Sequence, residues 1–168
     1  MKAHRKIVDE IINEYKNKRG ILAITLFGSL ARGEERKSSD VDIEIISESA
    51  DKWELKQDDE RYGINIDLVI CPKKHLIYQL KKYPYLCYDY LSEEILYDPK
   101  GFMRNLRKKL KTYFDNHPEI VKFWEDKLKI MKEERARGKV HKNAIKDYDE
   151  AEILFSKEHK VTRNFFRE

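Results

Sequence analysis

The run Phe27-Gly28-Ser29-Leu30-Ala31-Arg32-Gly33 is followed, after a charged stretch, by Ser39-Asp40-Val41-Asp42. Before it, Ile21-Leu22-Ala23-Ile24-Thr25-Leu26-Phe27 is a short, almost continuously apolar segment flanked by glycines. Its length and flanks predict a buried strand. The strand ends at Gly28-Ser29, where a residue without Cβ lets another group come close to the backbone. Ser29 then opens a short helical turn that Gly33 closes. Small residues at such a turn offer unpaired N–H groups to an anion such as a phosphate.

The following stretch supplies the opposite charge. Asp40-Val41-Asp42-Ile43-Glu44-Ile45-Ile46 alternates acidic and apolar residues, the period of a strand. Asp40 and Asp42 then share one face, about 6–7 Å apart along the strand. Carboxylates that close repel unless a cation lies between them. Hard oxygen ligands suit Mg²⁺, which also holds substrate phosphates. Ile64-Asn65-Ile66-Asp67-Leu68-Val69-Ile70 alternates in the same way. If it lies beside the first acidic strand, Asp67 completes a two-metal site. Taken singly, a Gly-Ser pair, an Asp-x-Asp or a lone strand aspartate is commonplace. Their joint occurrence at these spacings behind a buried strand is not.

Gly28-Ser29, Ala31-Arg32-Gly33, Ser39-Asp40-x-Asp42 and the later Asp67 resemble the DNA polymerase β-type nucleotidyltransferases, above all their minimal branch. The likeness covers roughly residues 7–99. It implies an α+β fold, a small mixed sheet flanked by helices, with residues 1–100 as core and 101–168 as a helical extension packed on it. It implies catalytic and metal-binding roles for Asp40, Asp42 and Asp67, and nucleotide contacts from Gly28, Ser29, Arg32 and Ser39. The expected cofactor is Mg²⁺, as two ions. The expected reaction moves a nucleoside monophosphate, AMP from ATP, to a hydroxyl. The acceptor expected first is a tyrosine of a helical toxin-like protein, in an antitoxin role. A small molecule, as in aminoglycoside nucleotidyltransferases, or an RNA end are the alternatives, and a nucleotide-binding module without catalysis is the non-enzyme reading. One residue departs from the family pattern: Glu44 stands where an apolar residue is usual, on the face of Asp40 and Asp42. It either pairs with a nearby base or adjusts the site.

The bulk properties are consistent with this reading. The chain has 168 residues, enough for one core with an extension, and no apolar run long enough to span a membrane. The N-terminus leads into an amphipathic helix and not into an apolar signal, so a cytoplasmic location is expected. Cys71 and Cys87 show no metal-ligand spacing, which fits reduced thiols. Residues 1–100 hold 17 Lys+Arg against 19 Asp+Glu, and residues 101–168 hold 18 against 12. The basic tail allows a nucleic-acid partner without demanding one.

Further elements follow from periodicity. Lys6–Asn17 reads as a helix with Ile7, Val8, Ile11, Ile12 and Tyr15 on one stripe. Glu34–Ser38 reads as a polar loop. Ser49 looks like the cap of a short helix running to Leu55. Lys73–Lys82 reads as a helix, and Glu94–Pro99 resembles the short final strand of the family core. The tyrosines 83, 85, 88 and 90 either pack in the core or line a base pocket. Phe102–Phe114, Glu119–Arg137 and Val140–Phe155 read as helices, the last two as an antiparallel hairpin.

Overall fold

A computed structural model describes residues 2–139 and 144–157. Helix α1 (Lys2–Tyr15) precedes strand β1 (Ile21–Phe27), the one-turn helix α2 (Gly28–Ala31) and strand β2 (Val41–Ser47). Strands β3 (Glu54–Arg61) and β4 (Ile64–Pro72), helix α3 (Lys73–Lys82) and strand β5 (Glu94–Tyr97) follow. Helices α4 (Phe102–Asp115), α5 (Pro118–Ala136) and α6 (Ala144–Phe155) end the described chain. The chain clusters into two compact units, residues 1–78 with 89–107, and residues 79–88 with 108–168.

The first unit holds a five-stranded sheet in the order β3-β4-β2-β1-β5. It is mixed: β2 and β4 are parallel, and every other pair is antiparallel. This is the α+β architecture expected from the sequence. Strand alternation gives the sheet two unlike faces. Val41, Ile43 and Ile45 of β2, Ile24 and Leu26 of β1, and Ile66 and Leu68 of β4 point to one side, where Ile7, Val8 and Ile11 of α1 close the core. Most of these side chains are completely buried. Each contributes about 1.5–3 kcal/mol by leaving water, and together they lock the register. The opposite side carries Asp42, Glu44, Thr25, Asp67 and Cys71.

One element corrects the sequence reading. The helix expected over Ser49–Leu55 does not form. The Ser47 hydroxyl accepts hydrogen bonds from the N–H groups of Ser49 and Ala50, so the polar signature there is a turn. The chain then enters β3, which pairs antiparallel with β4 from Glu54↔Ile70 to Arg61↔Ile64. Tyr62 and Gly63 join the two strands with φ of 56° and 72°. Two consecutive left-handed residues make the tight hairpin turn that suits the strand twist.

The second unit is built on aromatic contacts. Phe123 meets Phe155, Trp124 meets Tyr148, and Lys127 pairs with Asp147 and Glu150. Early α5 against late α6 is the antiparallel hairpin expected; Val140–Asn143 lie outside the described residues. Tyr85 is buried in this unit, and Tyr88 packs edge-on against Phe114. The indole N–H of buried Trp124 donates to the Tyr85 carbonyl at 2.7 Å. Trp124→Phe leaves that carbonyl unpaired and should lower stability by about 1–3 kcal/mol in denaturant unfolding. An unchanged midpoint would mean that the bond is not part of the folded unit.

Candidate active site

The site begins where β1 ends. Gly28 has φ +70°, a conformation that L side chains rarely adopt. A Cβ built there would lie 2.0 Å from Asp42 Oδ2. The carboxylate of Asp42 therefore rests directly on the glycine backbone. Two registers aim it. Asp42 faces Phe27 across β1–β2 and Asp67 across β2–β4. The structure thus brings Gly28, Asp42 and Asp67 together on adjacent strands. Ser29 follows Gly28 and is buried, and α2 has no side-chain N-cap to occupy its first N–H groups.

The other expected site residues are placed less simply. Asp40 is exposed and immediately precedes β2. Among the described residues no three His, Cys, Asp or Glu side chains converge to hold an ion, so Asp40, Asp42 and Asp67 form no three-carboxylate cluster. The donor set still fits a hard divalent ion. It consists of carboxylate oxygens, and Mg²⁺ takes one or two of these while water and substrate phosphates complete its shell. Arg32 pairs with Glu34 through Nε at 3.0 Å. It would have to leave that carboxylate to meet a phosphate. The Ser39 hydroxyl accepts the Arg36 N–H at 2.8 Å and so belongs to the loop.

Several neighbours of the site were not singled out in the sequence. His4 is buried, and its Nε2 lies 2.9 Å from the carbonyl of Ser39, the residue before Asp40. A carbonyl only accepts, so Nε2 carries the proton. Gln57 donates from Nε2 to Asp67 Oδ1 at 3.4 Å. These contacts join residues 35 and 10 positions apart, which no local pattern reveals.

Glu44 lies deeper on the same face. It is buried with Glu93, and the Tyr90 hydroxyl donates to its Oε1 at 3.4 Å. No base pairs with it in any hydrogen bond or ion pair among the described residues. Glu44 Oε2, Glu93 Oε2 and Thr25 Oγ1 find no hydrogen-bond partner of good geometry among the described residues. Burial pushes both carboxyl groups up from the ordinary carboxylate range, and the charge of Glu44 raises Glu93 further. Burial and the Glu44 carboxyl likewise push the Cys71 thiol up. Arg107 donates to the backbone carbonyls of Tyr90 and Glu93, which fixes the segment that covers the pair.

The site is thus a glycine-cradled carboxylate at the end of a buried strand, with a second carboxylate on the neighbouring strand of a mixed sheet. Comparison with known proteins gives the family. Residues 8–148 match the model of the nucleotidyltransferase domain, and the chain belongs to that family. It is a nucleotidyltransferase enzyme. It is 31% identical over 118 residues to a Methanocaldococcus jannaschii protein named as a candidate protein adenylyltransferase, covering 62% of this chain and 79% of the relative. A solved nucleotidyltransferase-like protein from Exiguobacterium sibiricum superposes with a TM-score of 0.50 at 16% identity. That match spans 66% of this chain and 38% of the other, a likeness of fold alone. A solved toxin-antitoxin complex with AMP-PNP scores 0.41 at 16% identity over 74% of this chain and 97% of that one, too slight to carry an argument.

Two predictions test this geometry. Gly28→Ala puts a methyl group onto Asp42 and strains the backbone, so nucleotide binding should fall at least about tenfold by calorimetry. Wild-type affinity would show that Asp42 does not rest there. The Glu44–Glu93 pair sets a pH dependence. Both groups hold protons in the folded state that the unfolded chain releases above pH 4.5. Folding is therefore favoured at low pH, and this contribution is lost as pH rises from about 5 to about 8, by up to about 1.4 kcal/mol per pH unit for each proton. Melting temperatures across that range should fall for wild type and fall less for Glu93→Gln. Parallel curves for the two proteins would refute the assignment.

Proposed function

We propose that the protein transfers AMP from ATP to a hydroxyl group of another protein, with release of pyrophosphate. The observation that carries this is the register pairing of Asp42 with Asp67 beside Gly28. On this reading the Gly28 turn accepts phosphate, Asp42 holds a cation and Asp67 accepts a proton. The named activity of the Methanocaldococcus jannaschii relative supports adenylyl as the group and protein as the acceptor. The family resemblance supports a tyrosine of a helical toxin-like partner. Cys71 and Cys87, both buried and outside any disulfide among the described residues, are consistent with a cytoplasmic setting.

In this reaction the backbone N–H groups of Gly28 and Ser29 hold the terminal phosphates. Arg32 leaves Glu34 and adds a charge-assisted donor to them. Asp40, Asp42 and Asp67 would hold Mg²⁺, as two ions. When bound, the metal screens the triphosphate and lowers the pKa of the acceptor hydroxyl. Asp67 takes the proton of that hydroxyl. Its oxygen forms a bond to the α-phosphorus, and the bond from the α-phosphorus to the bridging oxygen breaks. The pyrophosphate leaves with that electron pair. Gln57, donating to Asp67 Oδ1, holds the carboxylate with its other oxygen turned toward the acceptor.

The test is a transfer assay with α-labelled ATP in cell extract, with and without chelator, run beside calorimetry of nucleotide binding. Wild type should label protein, and only with divalent metal present. Asp67→Asn should lose transfer at least about a hundredfold, because a neutral amide accepts no proton. It should bind nucleotide almost as wild type does. Asp42→Asn should weaken both. Transfer at the wild-type rate by Asp67→Asn would remove Asp67 from the site. Label appearing in RNA or a small molecule would replace the protein acceptor.

A further inference from the structure

Among the described residues strand β3 is an edge strand, bonded to β4 alone. Its outward N–H and C=O groups form a template on which a further strand can pair. Leu55 faces Val69, which lies two residues from Asp67 and on the same side of β4. Gln57 reaches Asp67 from that side. Trp53 stands one residue before the strand. Trp53 is 47% exposed and Leu55 39% exposed, although both are large and apolar. The edge therefore carries two uncovered apolar side chains, Leu55 on the side of Asp67 and Trp53 just before the strand.

The charge on this side is of one sign. Glu60 faces Asn65, which alternation puts on the side of Asp67. With Asp42 and Asp67 it makes every paired charged residue that β2, β3 and β4 place there acidic, while Lys56 and Arg61 pair with Leu68 and Ile64 on the α1 side. The register shift between Lys56 and Asp59 takes in Gln57 and splits the ladder into Glu54–Lys56 and Asp59–Arg61, so the regular run that holds Leu55 is three residues long and Glu60 lies beyond the shift.

We infer that the Glu54–Lys56 run of β3 docks the acceptor protein: an extended, lysine- or arginine-bearing segment pairs along it and lays apolar side chains on Trp53 and Leu55. Strand addition gives affinity through the main chain and selects side chains at alternate positions. It also brings a hydroxyl on that segment to Asp67, whereas a small acceptor would need no such row. The inference rests on the protein-acceptor reading above and names the form of the acceptor.

The probe is an eight-residue peptide, matched to the length of β3, that alternates lysine with valine around one tyrosine. A second peptide carries glutamate in place of lysine. Binding is measured by fluorescence anisotropy on the full chain, and amide hydrogen exchange is followed along β3. The lysine peptide should bind, protect amides of Glu54–Gln57 from exchange, and bind at least about tenfold more tightly than the glutamate peptide. Trp53→Thr with Leu55→Thr should weaken it at least about tenfold. Threonine suits an exposed strand, and unchanged exchange in β4 would show that the variant stays folded. No binding, equal binding by the variant, or binding without protection of β3 overturns the docking surface. Label transferred from ATP to the peptide while β3 stays unprotected would keep the protein acceptor and reject the edge. Protection of β3 by a peptide that never takes label would keep the edge and count against protein as acceptor.

Discussion

The close approach of the Asp42 carboxylate to Gly28 is the constraint on which the site depends. It needs a residue without Cβ, held at positive φ, at the point where β1 turns into α2. It also needs Asp42 in one register, because a slip of one residue would turn every side chain of β2 to the other face. What prevents the slip is remote from the chemistry. Val41, Ile43 and Ile45 are fully buried toward α1, and exposing them would cost several kcal/mol. Apolar burial on one face of the strand thus aims the carboxylate on the other. The favourable energy lies under the sheet, and the electrostatic cost of neighbouring carboxylates lies on top.

That division explains what the sequence made legible. Alternation in Asp40–Ile46 and Ile64–Ile70 showed both acidic strands, since each has one wholly apolar face. The pairing of Asp42 with Asp67 was legible only as a condition, that the two strands be neighbours. Strand β3 was not legible. Its Asp58-Asp59-Glu60 run has poor strand propensity, and it is a strand because the Tyr62-Gly63 turn folds it onto β4. The cap-like serines before it serve a turn around Ser47. His4, Gln57, Tyr90 and Glu93 reach the site from distant positions, and no spacing rule connects them to it. The tyrosine-rich segment also divided in a way that composition could not show, with Tyr85 and Tyr88 in one unit and Tyr90 bonded to Glu44 in the other.

Glu44 shows how position along one strand face changes a carboxyl group. Asp42 and Glu44 share that face by alternation, and Asp40 stands just before the strand. Asp40 is open to solvent, Asp42 is half-buried, and Glu44 is buried beneath Tyr90 and beside Glu93. Desolvation disfavours the charged form, so the deepest of the three is the one pushed toward neutrality. The departure from the family pattern is then no salt bridge among the described residues. A carboxyl pushed toward neutrality adds less repulsion to the carboxylates nearby than a fully ionised one would. Its cost is the polar oxygens left without partners of good geometry among the described residues.

The order of the strands also orders the groups that the proposed reaction uses. β2 lies between β1 and β4, so Asp42 has the Gly28 turn on one flank and Asp67 on the other. Neighbouring strands are about 4.8 Å apart, which separates the Gly28 turn from Asp67 by roughly twice that distance. In the proposed reaction the triphosphate lies over β1 and β2, and its α-phosphorus faces β4. The β5 flank is taken by the Tyr90–Glu93 segment, which Arg107 holds down through two carbonyls. The β3 flank carries exposed residues along its length. An attacking hydroxyl must come in line, opposite the departing pyrophosphate, and the pyrophosphate lies toward β1. The line of attack therefore opens toward β4 and the uncovered edge beyond it.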